Sequence, residues 1–280
     1  MKNIKDINFT GECVVPNKTP YITFLEHINR YQFALKFVKS KTVLDVACGT
    51  GYGSNYLTKE AKEVVGVDIS NDAINYAKNN YIKPNLNFYN GDAINLPFLD
   101  ESFDVIVSFE TIEHIRKYDK FLNECWRVLR NGGLFICSTP NKKISSPHTK
   151  LPLNPFHVKE FYIDEFYELL DRYFVDTRLY GQQNTNLIKN SIKKRVIDIG
   201  RRLLSVIPKG KIIKRVIKKY INSTDKFSDF NSDQQNGRVE LLENNIDENY
   251  KVSKFKDNKI TSPAYIIAIA KKIRDEDINK

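Results

Sequence analysis

Long apolar runs are missing from these 280 residues. No stretch reaches the roughly 18 consecutive apolar side chains that a bilayer-spanning helix needs. The opening Met1-Lys2-Asn3-Ile4-Lys5-Asp6 lacks the apolar core of a signal peptide, so a cytoplasmic protein is expected, peripheral at most to the inner face of the membrane. Cysteine is scarce: Cys13, Cys48, Cys125 and Cys137 are scattered with no CxxC pair, which argues against a disulfide framework or a thiolate zinc site and for small buried side chains in a reducing compartment. Two nucleotide signatures are also absent. No G-x-G-x-x-G follows a strand pattern, and no Lys-Ser or Lys-Thr pair follows the glycine-rich turn to make a P-loop.

What is present is Thr42-Val43-Leu44-Asp45-Val46-Ala47-Cys48-Gly49-Thr50-Gly51-Tyr52-Gly53, a buried-strand pattern running into a glycine-rich turn. Glycines there allow a sharp turn and a close approach of backbone to ligand, and the unpaired amides of the helix that follows, read from Ser54, would face that ligand. Asp45 inside the strand sets the sign. A carboxylate beside the turn repels a pyrophosphate and favours a cationic ligand such as a sulfonium.

Further motifs follow in order. Val64-Val65-Gly66-Val67-Asp68-Ile69 is a second strand ending in an acid, and Asp68 comes 19 positions after Gly49, near the roughly 20-residue offset of a ribose-binding acid. Asn90-Gly91-Asp92-Ala93 closes a third strand, Phe103 to Phe109 forms a fourth, and Arg127-Val128-Leu129-Arg130-Asn131-Gly132-Gly133 turns into a fifth. With these five motifs the chain resembles the class I S-adenosylmethionine-dependent methyltransferases over most of residues 10 to 180. Many relatives have Lys-Pro-Gly-Gly at the last turn, where this chain has Arg130-Asn131.

The resemblance implies an α/β fold: a Rossmann-like sheet of seven strands, the last antiparallel, with helices on both faces. S-adenosylmethionine would be the cofactor, held by Arg30, Tyr31, Asp45, Cys48, Gly49, Thr50, Gly51, Asp68, Ile69, Asp92, Ala93, Phe109 and Glu110. Asp68 would take both ribose hydroxyls, and Asp92 would lie on the adenine side. An N-terminal helix with the pattern Glu26-His27-x-x-Arg30-Tyr31 would close over the cofactor, with Arg30 either on its methionine carboxylate or solvated.

Hydrophobic content of 41% and aromatic content of 12% suffice for one large core carrying an insertion. The expected organisation is a helical cap over 1–41, a cofactor-binding core over 42–180, an insertion over 181–261, and a final strand and tail over 262–280. Alternating strand and helix patterns from Val43 to Thr139 imply a parallel sheet with right-handed crossovers, whose ligands bind beyond the carboxyl ends of the strands. A further helix is expected over Phe161 to Tyr173, then strands near Phe174 to Leu179 and over Ala264 to Ala270. The insertion between those two strands is placed to act as a lid or substrate platform.

Methyl transfer to a hydroxyl needs an oriented acceptor and a way to remove its proton. Glu110-Thr111-Ile112-Glu113-His114 lies just past the fourth strand, and if a helix starts there, Glu110, Glu113 and His114 share one face. His157 follows in the loop after the fifth strand. These four suit Mg²⁺, Mn²⁺ or Zn²⁺, and the set resembles the metal constellation of ubiquinone-biosynthesis and small-RNA O-methyltransferases. Two alternatives stand beside it. Without a metal, His157 or His114 would be the base and Glu113 its orienter; or the glutamates would only favour a helix start. Ser138-Thr139-Pro140-Asn141 adjoins the same edge.

The net charge of +10 is concentrated, because between Gln183 and Asn222 there are twelve Lys or Arg against Asp198 alone. Apolar positions in this stretch repeat as two helical stripes broken at Pro208-Lys209-Gly210, a basic helical hairpin. Residues 223–250 are polar and acid-leaning and read as a loop. The hairpin suits an anionic membrane surface or lipid-linked acceptor, RNA phosphates, or plain solvent. Only Tyr220 interrupts its cations, so base stacking is not indicated, and no DNA partner is expected. Thr10-Gly11-Glu12 and the Glu110 segment resemble a subgroup found with bacterial glycan and surface-polysaccharide assembly, which makes a sugar hydroxyl in a glycan or lipid-linked intermediate the first expected acceptor. An RNA 2′-hydroxyl, or cofactor binding without catalysis, are the alternatives.

Overall fold

The computed structural model of the chain describes residues 13–16, 18–183, 253–254 and 263–273. Thr10-Gly11-Glu12, the basic hairpin and the acid-leaning loop therefore lie outside the described residues. Everything described belongs to one compact unit that takes in Met1–Gln183 and Tyr250–Lys280.

Helix α1 (Tyr21–Leu35) precedes an alternation of β1 (Thr42–Val46), α2 (Tyr52–Leu57), β2 (Glu63–Asp68), α3 (Asn71–Asn80), β3 (Leu86–Asn90) and β4 (Phe103–Phe109). After a 3-10 turn at Ile112–His114 come α4 (Tyr118–Val128), β5 (Leu129–Pro140), α5 (Lys142–Ser145), α6 (Ile163–Asp171), β6 (Val175–Gln182), β7 (Ser253–Lys254) and β8 (Tyr265–Lys271). The strands form one sheet in the order β3-β2-β1-β4-β5-β8-β6-β7. β1 to β5 are mutually parallel, and β8 runs antiparallel between β5 and β6. These are the seven expected strands. The two-residue β7 adds an eighth at the edge, pairing with Tyr180 and Gly181.

Successive side chains of a strand point to opposite faces, and the apolar runs of this sheet are covered on both. One face gathers Leu44 and Val46 of β1, Ile106 of β4, Phe135 and Cys137 of β5 and Ala268 of β8 under Phe121, Leu122 and Cys125 of α4 and Phe166 and Leu170 of α6. Each large side chain fully buried there contributes about 1.5–3 kcal/mol of transfer free energy. The other face is roofed by α1, α2 and α3, and Asp45 projects into it, against Tyr31 and Ser54. Cys48, Cys125 and Cys137 are buried free thiols and Cys13 is half-buried, as their scattered spacing suggested. Among the described residues no helix is long and apolar enough to cross a membrane.

Two local readings change. The glycine-rich turn opens its space to protein as well as to ligand: a Cβ on Gly51 would lie 2.7 Å from Ala77 and Phe88, and one on Gly53 would strike the Tyr31 ring at 1.9 Å. Close packing of α1, α3 and β3 on the turn is what excludes side chains there. The helix expected to start at Glu110 also fails to do so. Glu110 has a left-handed φ of 53°, and only a 3-10 turn follows before α4 begins at Tyr118.

Candidate active site

Strands β1, β2 and β4 end at one edge of the sheet, and the chemistry-bearing residues collect there. Two residues past neighbouring strands, Ala47 after β1 and Glu110 after β4, hold positive φ without being glycine. Such conformations persist where surrounding structure enforces them, and they cluster at functional sites. At the end of β2, Asp68 accepts from the backbone amides of Gly49 (2.8 Å) and Ser70 (2.8 Å), which ties the glycine-rich turn to the carboxylate. Ile69 follows, 71% exposed, and Asp92 stands two residues beyond β3, accepting from the Ile94 amide. Ala93 packs against the core.

Beneath the turn, Asp45 is fully buried and accepts from Ser54 Oγ (2.6 Å) and Tyr31 Oη (3.2 Å). Burial pushes its carboxyl up to about 7, against those two hydrogen bonds. Asp45 thus braces α1 and α2 on β1, and its effect on a ligand is that of a buried group behind the turn. Phe109 meets the Tyr31 ring edge-on, Cys48 is buried, and Thr50 donates to the Val14 carbonyl (2.8 Å).

Arg30 is neither solvated nor satisfied. It is fully buried, with Nη1 donating to Gln182 Oε1 (2.7 Å), Nε 4.0 Å from Glu110 Oε1, and the guanidinium 4.6 Å from the centre of the Tyr265 ring. Nε and Nη2 are buried without hydrogen-bond partners. Burial opposes the charge, yet Glu110 foremost among its neighbours keeps the pKa above the ordinary arginine value. Two adjacent N–H donors of a rigid fork left open in a closed site match a carboxylate. That fits the methionine end of S-adenosylmethionine.

Glu110 belongs to this arginine and not to the imidazoles. Its Oε1 accepts from Ser138 Oγ (2.6 Å), which places it apart from the metal set in which the sequence had put it. The reason is the left-handed turn at Glu110, which removes the shared helical face.

Glu113, His114 and His157 do converge: one ligand atom from each lies within 4.8 Å of the others. The loop after β5 folds back over the 3-10 turn, where Val158 and Lys159 donate to the Glu113 carbonyl (2.7 and 3.1 Å). The two imidazoles meet edge to face, centres 4.9 Å apart. His114 Nδ1 donates to the Phe156 carbonyl (3.1 Å), which leaves the ring's basic lone pair on Nε2. His157 Nδ1 donates to Glu160 Oε1 (2.7 Å), and its Nε2 accepts from Asn154 Nδ2 (2.9 Å). Burial works to raise Glu160, but hydrogen bonds from Ser146, Ser145 and His157 hold it below the usual carboxylate range. Glu113 is the opposite case. Burial first and the charge of Glu110 second push it well up, and its Oε1 has no hydrogen-bond partner while Oε2 accepts from Thr139 (3.2 Å).

Residues 44–137 match the family described as a methyltransferase domain. Over that stretch the chain is similar to this family. It is 37% identical over 163 residues to a Mycolicibacterium smegmatis protein described as an S-adenosylmethionine-dependent methyltransferase, covering 58% of this chain and 63% of that protein. It is 38% identical over 135 residues to the phthiotriol/phenolphthiotriol dimycocerosates methyltransferase of Mycobacterium tuberculosis, covering 46% and 50%. A fatty-acid O-methyltransferase of M. smegmatis is 34% identical over 131 residues, covering 44% and 48%. The chain thus spans between about half and just under two thirds of the length of these relatives. Among solved structures, a methyltransferase from Thermotoga maritima superposes with a TM-score of 0.55 at 16% identity over 90% of this chain and 91% of that one, which fixes the fold. The fold is that of this methyltransferase, and S-adenosylmethionine is the cofactor named for the M. smegmatis relative.

Around the site, several partners escaped sequence reasoning. Gln182 and Tyr265 face each other in the register of β6 and β8, more than 150 residues from Arg30 in the chain for the first and more than 230 for the second. No local pattern links them. Glu160 did carry a signal, being three residues past His157 as Asn154 is three before it.

Proposed function

We propose that the chain transfers the methyl group of S-adenosylmethionine to a hydroxyl oxygen, on a sugar or lipid-linked acceptor presented at the edge where β4 and β5 end. The observation that carries this reading is the meeting of Glu113, His114 and His157 at that edge. The bound cofactor supplies an electrophilic methyl together with its own leaving group. Everything else falls to side chains of this chain. Arg30 directs its two open donors at the carboxylate of the cofactor, and Asp68 faces the ribose. His157 takes the acceptor's proton on Nε2, exchanging the Asn154 amide for the hydroxyl, while Glu160 holds Nδ1–H and stabilises the imidazolium. Thr139 and Ser138 line the same strand end.

The three converging donors, one carboxylate oxygen and two imidazole nitrogens, also suit Mg²⁺, Mn²⁺ or Zn²⁺. The orphaned Oε1 of Glu113, whose carboxyl burial pushes well up, is the atom a cation would satisfy. An ion held there would lower the pKa of the acceptor hydroxyl. The relatives named for lipid acceptors support an acceptor with an apolar part. The test is methyl transfer from labelled cofactor to hydroxylated fatty acids, lipid-linked saccharides and RNA, each with and without chelator. Label in a lipid-linked saccharide supports the reading; label in RNA alone, or cofactor binding with no label in any acceptor, overturns it.

A further inference from the structure

Among the described residues, exposed apolar side chains gather in one place more than in any other. Of the ten large hydrophobic side chains exposed among the described residues, six lie between Leu151 and Tyr167. Leu151 is 77%, Leu153 64% and Phe156 46% exposed, all within six residues of one another. The loop bearing them is firmly held. Ser146 Oγ accepts from the Leu153 amide (2.8 Å), Thr149 Oγ1 donates to the Leu151 carbonyl (2.8 Å), and Asn154 accepts from the amides of Phe156 (3.0 Å) and His157 (3.1 Å). These hydrogen bonds hold the backbone while the three side chains stay exposed, so a partner meets a surface whose ordering cost has already been met.

Lysines rim the 151–156 stretch, and Glu160, which follows them, is buried. From Lys142 to Lys159 there are four lysines and no aspartate or glutamate. Lys142 and Lys159 lie over the rings of Tyr162 and Phe161, and Lys143 and Lys150 are exposed. Apolar side chains rimmed by cations are the composition of an interfacial anchor on anionic lipid. A second copy of the chain is disfavoured as the occupant, because a two-fold contact would set the same cations against each other.

We infer that residues 143–156 form a membrane-docking loop that seats Leu151, Leu153 and Phe156 among the lipid chains of an anionic bilayer, with Lys143 and Lys150 on its headgroups. This stretch is distinct in sequence from the basic 183–222 segment, and it is continuous with the active site through the Phe156 carbonyl that holds His114. Docking here would bring a lipid-borne acceptor to that edge, but the inference itself does not depend on methyl transfer.

The test uses the full chain without cofactor and vesicles of phosphatidylcholine with or without phosphatidylglycerol. Phe156→Trp and, separately, Leu151→Trp carry a reporter beside the single native Trp126. Anionic vesicles should shift the added emission to the blue and make it quenchable by brominated lipid chains. Leu151→Ser/Leu153→Ser/Phe156→Ser should lower vesicle partitioning roughly tenfold or more, as expected for withdrawing three apolar side chains. Lys143→Gln/Lys150→Gln should lower it about fivefold per lysine near the surface. Vesicle binding with both reporters unshifted would overturn the inference and leave the basic segment as the contact. A dimer that the triple serine variant dissociates would also overturn it, assigning the patch to self-association.

Discussion

Replacing Gly51 by alanine tests how the cofactor turn is built. The residue has φ +81°, and an added Cβ would lie 2.7 Å from Ala77 Cβ and from two ring carbons of Phe88. Holding an L-residue in the left-handed region costs about 1–2 kcal/mol. Forcing a methyl into a filled space costs about 1–3 kcal/mol more, so a loss of about 2–5 kcal/mol is expected in urea unfolding. The two parts can be separated. Phe88→Leu removes the nearest ring atoms at a cost of its own below about 1.5 kcal/mol, and in the double variant it should recover about 0.5–3 kcal/mol of the steric part while leaving the backbone part in place. A loss below about 1 kcal/mol for Gly51→Ala, or no coupling to Phe88, would refute the packing account.

Three further outcomes follow from the site. Asp45, at about 7 in the folded protein against 3.8 ordinarily, stays protonated as the unfolded chain ionises; wild type should therefore lose about 4 kcal/mol relative to Asp45→Asn as pH rises from 4 to 8, followed by thermal or urea unfolding, and equal pH slopes would contradict it. Arg30→Lys keeps the charge but loses the fork, and by calorimetry S-adenosylmethionine should bind about 10–100-fold more weakly, the equivalent of a charged hydrogen bond of about 1.5–3 kcal/mol; unchanged affinity would remove Arg30 from the cofactor site. Glu160→Gln leaves His157 a neutral partner, so the rate of methyl transfer should fall about 10–100-fold with the acid-side limb of its pH profile, where the base must lose its proton, moved to lower pH, whereas a purely structural role would lower stability and leave the profile in place.

How much of this was legible in the sequence differs by element. The strands were plain because a parallel sheet covered on both faces needs near-continuous apolar runs, and Val43 to Val46, Val64 to Val67 and Phe103 to Phe109 supply them. Asp68 was found by its offset from Gly49, and the structure joins the two by a hydrogen bond. The helix at Glu110 was misread because periodicity counts spacing and cannot see a left-handed residue that breaks it. Asp45 was read as a carboxylate beside the turn that favours a cationic ligand; its partners Tyr31 and Ser54 could not be read from spacing. The surroundings of Arg30 were out of reach, since Gln182 and Tyr265 arrive through the pairing of β6 with β8. The docking loop was hidden for another reason: nothing in the spacing of Leu151, Leu153 and Phe156 tells an exposed apolar side chain from a buried one.

The central claim is a cofactor site made by the glycine-rich turn, Asp68 and Arg30. Its most direct test is calorimetric titration of S-adenosylmethionine into the full chain and into a folded Asp68→Ala variant. The account predicts saturable binding to the first and its loss in the second. A folded wild-type protein that takes up no S-adenosylmethionine would contradict it.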